Sequence, residues 1–592
     1  MKLIEALEIL QQNAPVGAPP LEMALACGFT PLYLATFVKA ALQVSFPDRL
    51  VELTTGLYGD LAGNLERLES RSVTAVAVAL EWPDFDPRLG IRHLGGWGPS
   101  QLQDILTTAQ RQSLRLQQAL EVLSRRTTVV ALSLPTLPLP PASFAPGQQA
   151  APFDLELREC ANSLGAGASK LSGVRVLNQQ RLDRVSPPFA RFDVKSEISM
   201  GFPYTLAHAS AVAELLACLI RNPQPKKGLI TDLDNTLWSG ILGEVGIEGI
   251  SWDLEHHSHM HGLYQQVLRA MAEEGVLIAV ASRNDPALVR QAFERAHPIL
   301  TSEHAFPIEA HWGPKSGLVN RILQTWNVGA ESVVFVDDSA MDVAEVQAAY
   351  PDLESVVFPV QADEAIYRLL EDLRDRFGRQ EISDEDRVRL KSIRSAVLAG
   401  QEAAKASNAD AFLQGAEAVL SLIRLQQPPD RRALELVNKT NQFNLNGRRY
   451  TESEWRECLE GDNVFALLGS FADRYGPLGK IAVLKGICEG QNLLVDAWVM
   501  SCRAFSRRIE HQILAQVFEI FSVEEIEFDF VPTPRNGPLR DFFAEFLGSI
   551  PHSRFRLGKT IFAEKCPPLY HQVQLNFVGG VNGTFQIQSR AQ

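Results

Sequence analysis

The sequence predicts a multidomain α/β protein built largely on parallel sheets. Continuous apolar runs of strand length recur along it: SVTAVAVALEW (72–82), RTTVVALSLP (126–135), the start of LITDLDNTLW (229–238), VLIAVAS (276–282) and SVVFVDD (332–338). Stretches with helical spacing of apolar residues separate them. Strands that are apolar on both faces belong to parallel sheets covered by helices, and strand–helix alternation implies crossover connections. Finally, the 592 residues are enough for three or four domains at roughly 150 residues each.

Composition narrows the function classes. Apolar residues make up 46% and charged residues 21%, an ordinary globular balance. A net charge of −14 argues against a nucleic-acid binder, which carries a basic footprint. The seven cysteines are scattered with no CxxC pair, as expected of reduced thiols in the cytoplasm. No apolar stretch has the length of a membrane span, so no membrane partner is expected. Glu5 and Glu8 interrupt the first residues, which do not read as a signal peptide.

Residues 1–222 read as a first α/β domain. It contains the runs at 72–82 and 126–135, a proline-rich loop (134–147) and a closing helix, LAHASAVAELLACLIRN. Prolines remove donors and fix φ, so the 134–147 segment cannot be a strand. A second domain, 223–376, follows the short linker NPQPKKG. Its helices are MHGLYQQVLRAMAEEG and DPALVRQAFERA. A third, 377–592, opens with a polar stretch expected to be helical as far as LSLIRL. It continues with strands KIAVLKGI, NLLVDAWVMSC and EIEFDFVP around a helix, SRRIEHQILAQVFEIF, as a mixed α/β domain.

The second domain carries the chemistry. Ligands bind outside the carboxyl ends of strands in open parallel sheets. Asp232 and Asp234 stand at one such end, Ser282 at another, and Asp337 with Asp338 at a third. Converging carboxylates repel and are costly to desolvate, and a hard divalent cation such as Mg²⁺ resolves this. Lys315, in HWGPKSGL, neutralises further negative charge on a phosphoryl group. A carboxylate nucleophile, a metal clamp and a cationic side chain suit phosphoryl transfer. Asp232 would attack phosphorus, Asp234 would serve as general acid and then base, and Ser282 would donate to a phosphoryl oxygen. Four histidines, His256, His257, His259 and His261, lie in the flap at 237–262. A solvated polar flap is expected there rather than a zinc site.

This ordered set resembles the haloacid dehalogenase (HAD) superfamily. LDNTLWSGILGEVGIEGI (233–250), VASRNDP (280–286), HWGPKS (311–316) and VFVDDSAMDVAEV (334–346) narrow the resemblance to the FkbH-like proteins of capless HAD subfamily IIIC. The resemblance implies a central HAD Rossmannoid sheet, Asp232 as nucleophile and Asp234 as acid/base. It also implies that Ser282 and Lys315 contact phosphate, and that Thr236, Arg283 and Asn284 line the substrate. Asp232, the Asp234 backbone carbonyl, Asp337 and Asp338 would hold Mg²⁺. Asp342 stands where the family usually has a Glu.

LELVNKTNQFNLNGRRY (434–450) also matches that family, which implies a contact of this stretch, Asn441 included, to substrate or to the neighbouring domain. By chemistry alone Asn441, Gln442 and Asn444 read as a turn held by side-chain amides. The loop RAFSRR after Cys502 precedes a helix start, where exposed amides can hold phosphate, and Arg503, Arg507 and Arg508 add charge. This region resembles the acetyltransferase-like (GNAT) fold, whose matching loop binds a phosphopantetheine carrier. Ser506 and Arg508 replace small glycines there, and Phe543 stands where relatives often carry Tyr. Cys502 has two readings. Near arginines and a helix N-terminus its thiolate could relay an acyl group. Alternatively it is a small apolar filler at a strand end. The first domain resembles a flavodoxin-like or SGNH-hydrolase-like domain without the hydrolase signature. CGFTP (27–31) offers at best Thr30, LEWPDFD (80–86) lacks Gly-Asn-Asp, and His208 stands alone on a helix face.

The family resemblance implies a Mg²⁺-dependent glyceryl transferase/phosphatase. It would dephosphorylate 1,3-bisphosphoglycerate, a small phosphorylated acyl substrate. It would then load a glyceryl unit on the phosphopantetheine arm of an acyl carrier protein in polyketide-type biosynthesis. A plain phosphomonoester phosphatase needs the same aspartates but not Cys502. A carrier-binding scaffold would need neither.

Overall fold

The computed structural model describes residues 1–576 apart from 12–16, 72, 128, 222–224, 380–381, 383–388, 392, 396, 398–408, 426–429, 451, 462, 475, 502–503 and 506. The chain divides into two compact units, Met1–Gln224 and Pro225–Gln592. The second unit carries two separate sheets.

The first unit is a five-stranded parallel sheet: β1 (Pro20–Cys27), β2 (Leu50–Thr55), β3 (Ala75–Ala79), β4 (Val129–Ser133) and β5 (Val174–Val176), in the order β2-β1-β3-β4-β5. β3 and β4 are buried at every position because each face is covered. Val76, Val78, Val130 and Leu132 pack into one core, while Ala75, Ala77, Ala79 and Ala131 pack into the other. The proline-rich stretch is loop throughout, and the helix Leu206–Arg221 ends the unit.

In the second unit, β6 (Gly228–Thr231), β7 (Leu277–Ser282), β8 (Ala305–Ala310), β9 (Val333–Asp337) and β10 (Glu354–Val357) form an all-parallel sheet, ordered β10-β9-β6-β7-β8. β6 lies at the centre, between β7 and β9. The two edge strands are absent from the apolar pattern for a physical reason. β8 (AFPIEA) carries a proline and a glutamate, which an edge tolerates, and β10 has no buried residue. Lys315 therefore follows β8, the third strand of this sheet in chain order.

The remaining sheet is mixed. β11 (Val419–Arg424), β12 (Phe443–Asn444), β13 (Val464–Asp473), β14 (Gly476–Glu489), β15 (Asn492–Met500), β16 (Glu525–Phe528), β17 (Phe555–Gly558) and β18 (Gln572–Asn576) make it up. Its path is β17-β16-β15-β14-β13-β11-β18, with β12 pairing β15. β15 and β16 are parallel, joined through the helix Ile509–Phe521, and β13, β14 and β15 are antiparallel. One correction falls here. VLSLIR, expected to continue a helix, is strand β11. Leu420 and Leu422 are buried in alternation, the period of a half-covered strand rather than of a helix. The polar segment before it lies largely outside the described residues, as do Cys502, Arg503 and Ser506. Among the described residues, no helix is long and apolar enough to cross a membrane.

Candidate active site

β6 and β9 pair in parallel with Thr231 opposite Val336, so the next residue on each strand, Asp232 and Asp337, emerges side by side. The Asp232 amide still donates to Val336 O at 2.9 Å, which fixes that register at the site. The strand order reverses between β6 and β9, the place where open parallel sheets take ligands. Ser282 ends β7, the other neighbour of β6.

Lys315 opens the helix Lys315–Trp326 and points back under the sheet edge. Its Nζ lies 2.5 Å from Asp232 Oδ1 and 2.8 Å from Asp337 Oδ2, and donates to Ala281 O at 2.9 Å. All three side chains are nine-tenths buried or more. Burial opposes the ammonium's charge, but Asp232 and Asp337 outweigh it and hold Lys315 above its ordinary value. Burial pushes Asp232 up to about 7; Lys315 works against this shift and Asp337 adds to it.

Oxygens of Asp232, Asp337 and Asp338 lie within 4.8 Å of one another, and one ammonium pairs with two of these three carboxyls. Burial and the neighbouring Asp337 also raise Asp338. A clustered, all-oxygen set with excess negative charge fits a hard divalent cation. Among the described residues this is the group of acidic, histidine or cysteine side chains close enough to hold a metal. The flap histidines are not such a group. His256 pairs with Asp253, and His261 is buried, donating through Nδ1 to Thr236 O and stacking on Phe358.

The Asp234 carboxyl stands apart from the cluster, held by three N–H donors. Oδ1 accepts from Trp238 Nε1 at 3.1 Å and Leu242 N at 3.0 Å, and Oδ2 accepts from Asn284 Nδ2 at 2.9 Å. Asn284 also donates to Ser282 Oγ at 3.0 Å, tying the ends of β6 and β7 together. Thr236 Oγ1 accepts from Asp338 N at 3.1 Å and so holds the third acidic position.

Arg283 is spoken for within the protein. Its guanidinium pairs with Asp342 at 2.9 Å and Glu345 at 2.7 Å. Glu345 in turn accepts from the Ser316 amide and hydroxyl, next to Lys315. Sequence reasoning missed Glu345. The only signal was its place on the helix after Asp337–Asp338, one turn beyond Asp342.

The other expected residues are engaged with partners of their own. Asn441 is exposed and accepts from Arg449 Nη2 at 2.5 Å. Asn444 makes the amide-held turn, accepting from Asn446 N and Gly447 N. Arg507 pairs with Asp473 at 3.2 Å, and Arg508 with Asp410 at 2.6 Å. Phe543 is buried against Trp498 and Phe528. In the first unit His208 is buried with both ring nitrogens bonded to hydroxyls, Thr136 and Ser186, each at 2.8 Å. Burial lowers it to about 3, so it is a neutral structural histidine.

No protein-family model matches the sequence, and no curated protein matches it. Among solved structures, the chain is similar to the N-terminal part of the protein BF1531 from Bacteroides fragilis, described as containing a phosphatase domain complexed with Mg. The likeness has a TM-score of 0.51 at 18% identity and covers 64% of this chain and 100% of that one. It shows a shared fold. A protein from Corynebacterium glutamicum aligns at 18% identity over 26% of this chain and 98% of its own, with a TM-score of 0.18.

Proposed function

We propose that the chain is a Mg²⁺-dependent phosphoryl-transfer enzyme of the haloacid dehalogenase type, acting as a phosphatase on a small phosphorylated acyl compound. The observation that carries this reading is the junction of Asp232 and Asp337 on Lys315, with Asp338 beside them, at the strand-order reversal. The solved neighbour of like fold is itself described as a phosphatase domain with Mg.

Asp232 Oδ1 is held by Lys315, which leaves Oδ2 as the attacking oxygen for an in-line approach to phosphorus. Lys315 and the Ser282 hydroxyl offset the charge on the phosphoryl oxygens. Asp232, Asp337 and Asp338 would hold Mg²⁺, which supplies Lewis-acid polarisation of the phosphoryl group. Asp234, oriented by Trp238, Leu242 and Asn284, donates a proton to the leaving group. It then takes one from the water that hydrolyses the aspartyl phosphate.

The finer reading is that the acyl compound is 1,3-bisphosphoglycerate and that the glyceryl unit passes to an acyl carrier protein. The motif resemblance at 233–250, 280–286 and 434–450 supports it, with Cys502 as relay thiol in a GNAT-like domain. The test is intact-protein mass spectrometry with phosphate detection, using the full chain, Mg²⁺, 1,3-bisphosphoglycerate and a phosphopantetheinylated carrier. A glyceryl adduct on the carrier, lost with Asp232→Asn, establishes the transfer. An enzyme adduct lost with Cys502→Ala places the relay. Phosphate release without any adduct leaves a phosphatase alone. No phosphate release from this substrate or from p-nitrophenyl phosphate overturns the enzyme reading.

A further inference from the structure

The helix His259–Glu273, at the end of the flap, turns three polar side chains into the protein. His261, Tyr264 and Gln265 stand at i, i+3 and i+4, on one helix face, and none is more than 7% exposed. Leu268, Met271 and Ala272 continue the same helix into the apolar core. The other flap histidines, His256, His257 and His259, are exposed.

Each of the three polar side chains reaches the stretch of chain that carries Asp232 and Asp234. His261 Nδ1 donates to Thr236 O at 2.9 Å, and Gln265 Nε2 to Leu237 O at 2.8 Å. The Tyr264 hydroxyl donates to Thr231 Oγ1 at 3.1 Å, and that hydroxyl donates in turn to Asp232 O at 2.9 Å. One anchor therefore lies before Asp232 and two lie after Asp234. Gln265 is fixed from its other end, where Oε1 accepts from Ile299 N at 2.8 Å. The His261 ring stacks on Phe358, with centroids 5.4 Å apart. Gly262 lets the helix start close against the flap, since a Cβ there would fall 2.4 Å from Trp252 O.

Thr236 is held at two atoms. Its main-chain oxygen accepts from His261, and its Oγ1 accepts from Asp338 N at 3.1 Å. Two hydrogen bonds thus connect the helix, through a fully buried threonine, to the half-buried acid of the metal-binding cluster. We propose that His261 is a positioning residue of this site: through Thr236 it fixes Asp338 where a divalent cation needs it. This assignment rests on the phosphatase reading above. Carboxyls that hold a metal depend on outer hydrogen bonds for their orientation, and losing one costs about 10–100-fold in metal affinity. A helix that only covered the sheet would need no such bonds, because apolar side chains fill the same space without the cost of burying polar groups.

The test uses the full chain, p-nitrophenyl phosphate turnover and Mg²⁺ calorimetry, with circular dichroism to check folding. His261→Phe keeps a ring on Phe358 and loses the donor. It raises the calorimetric Kd for Mg²⁺, and the Mg²⁺ concentration for half-maximal turnover, about tenfold or more, with little change in KM at saturating Mg²⁺. His261→Asn, whose amide nitrogen can take the place of Nδ1, recovers most of the loss. Leu268→Ala, on the same helix but in the apolar core, lowers the thermal midpoint and leaves the Mg²⁺ Kd unchanged. Should His261→Phe fail to fold, His261→Gln, whose amide lies one bond too far out, takes its place. Calorimetry decides by itself if this substrate is not turned over. The proposal is overturned if the folded His261→Phe or His261→Gln variant binds Mg²⁺ as the unaltered chain does, if His261→Asn recovers nothing, or if Leu268→Ala weakens Mg²⁺ binding as much. An unaltered chain that binds no Mg²⁺ is a different failure: it overturns the phosphatase reading itself, and the proposal with it.

Discussion

The Lys315 ammonium lies 2.5 Å from the Asp232 carboxylate, and neither side chain is more than 9% exposed. With Asp337 at 2.8 Å on its other side, one lysine neutralises two buried acids. Lys315→Met leaves both without their cation. Breaking a buried pair from one side costs about 3–5 kcal/mol, to be read from urea unfolding of the full chain. Adding Asp232→Asn to Lys315→Met restores part of that loss, because one of the two stranded charges is gone.

Asp232→Asn alone abolishes phosphate release. Removal of a covalent nucleophile lowers kcat by roughly 10⁴-fold or more. The fold survives, since the amide keeps the shape and removes one of three crowded carboxyls. Lost turnover with an unchanged circular dichroism spectrum is the expected pair of results. Retained turnover would remove Asp232 from the nucleophile role.

Asp338 is the half-buried member of the acidic cluster. Asp338→Asn raises the Mg²⁺ concentration needed for half-maximal phosphate release about tenfold or more. For the unaltered chain, Mg²⁺ at 100 times its Kd stabilises the fold by about 2.7 kcal/mol. A thermal melt with and without EDTA measures this. Equal melting temperatures would mean that the cluster holds no cation.

Glu345 acts through its neighbours, joining Arg283 to Ser316 beside Lys315. Glu345→Gln keeps one acceptor but gives up the charge. The expectation is a fall in kcat with little change in KM, because Lys315 is displaced while the substrate surface is intact. Glu345→Asp recovers part of the kcat. A change in KM alone would instead place Arg283 on the substrate.

Asp84 and Glu81 set the pH response of the first unit. In the folded chain burial raises Asp84 from 3.8 to about 8 and Glu81 from 4.5 to about 7. Folding therefore retains protons that the unfolded chain releases. The stabilisation is fully present below about pH 4 and is lost as pH rises through 7 to 8, by up to about 1.4 kcal/mol per pH unit for each group. His208 works in the opposite sense. Its value is lowered to about 3, so stability from its neutral form is present above 6.5 and lost as pH falls towards 3. Asp84→Asn flattens the decline between pH 6 and 8 in a calorimetric melt. An unchanged slope would show that Asp84 ionises freely.

The sequence by itself determined the parallel architecture and the membership of the acidic cluster. β3, β4, β6, β7 and β9 are legible because burial on both faces demands unbroken apolar runs. Asp232, Ser282 and Asp337–Asp338 were legible because polar residues that abruptly end such runs have to lie at a sheet edge. The edge strands β8 and β10, and β11 behind a polar stretch, were not, since partial exposure blurs their pattern. Only the tertiary structure decided which polar groups meet. A charge on a helix start carries no sign in sequence of whether it faces water or, as Lys315 does, two carboxylates 83 and 22 positions away in the chain. Nor does sequence show that Arg283, Arg507 and Arg508 have acid partners, or that Glu197 has an oxygen with no donor. Hydrogen bonds and ion pairs form between residues distant in sequence, at separations set by packing to within an ångström. Apolar periodicity fixes only which face each residue occupies.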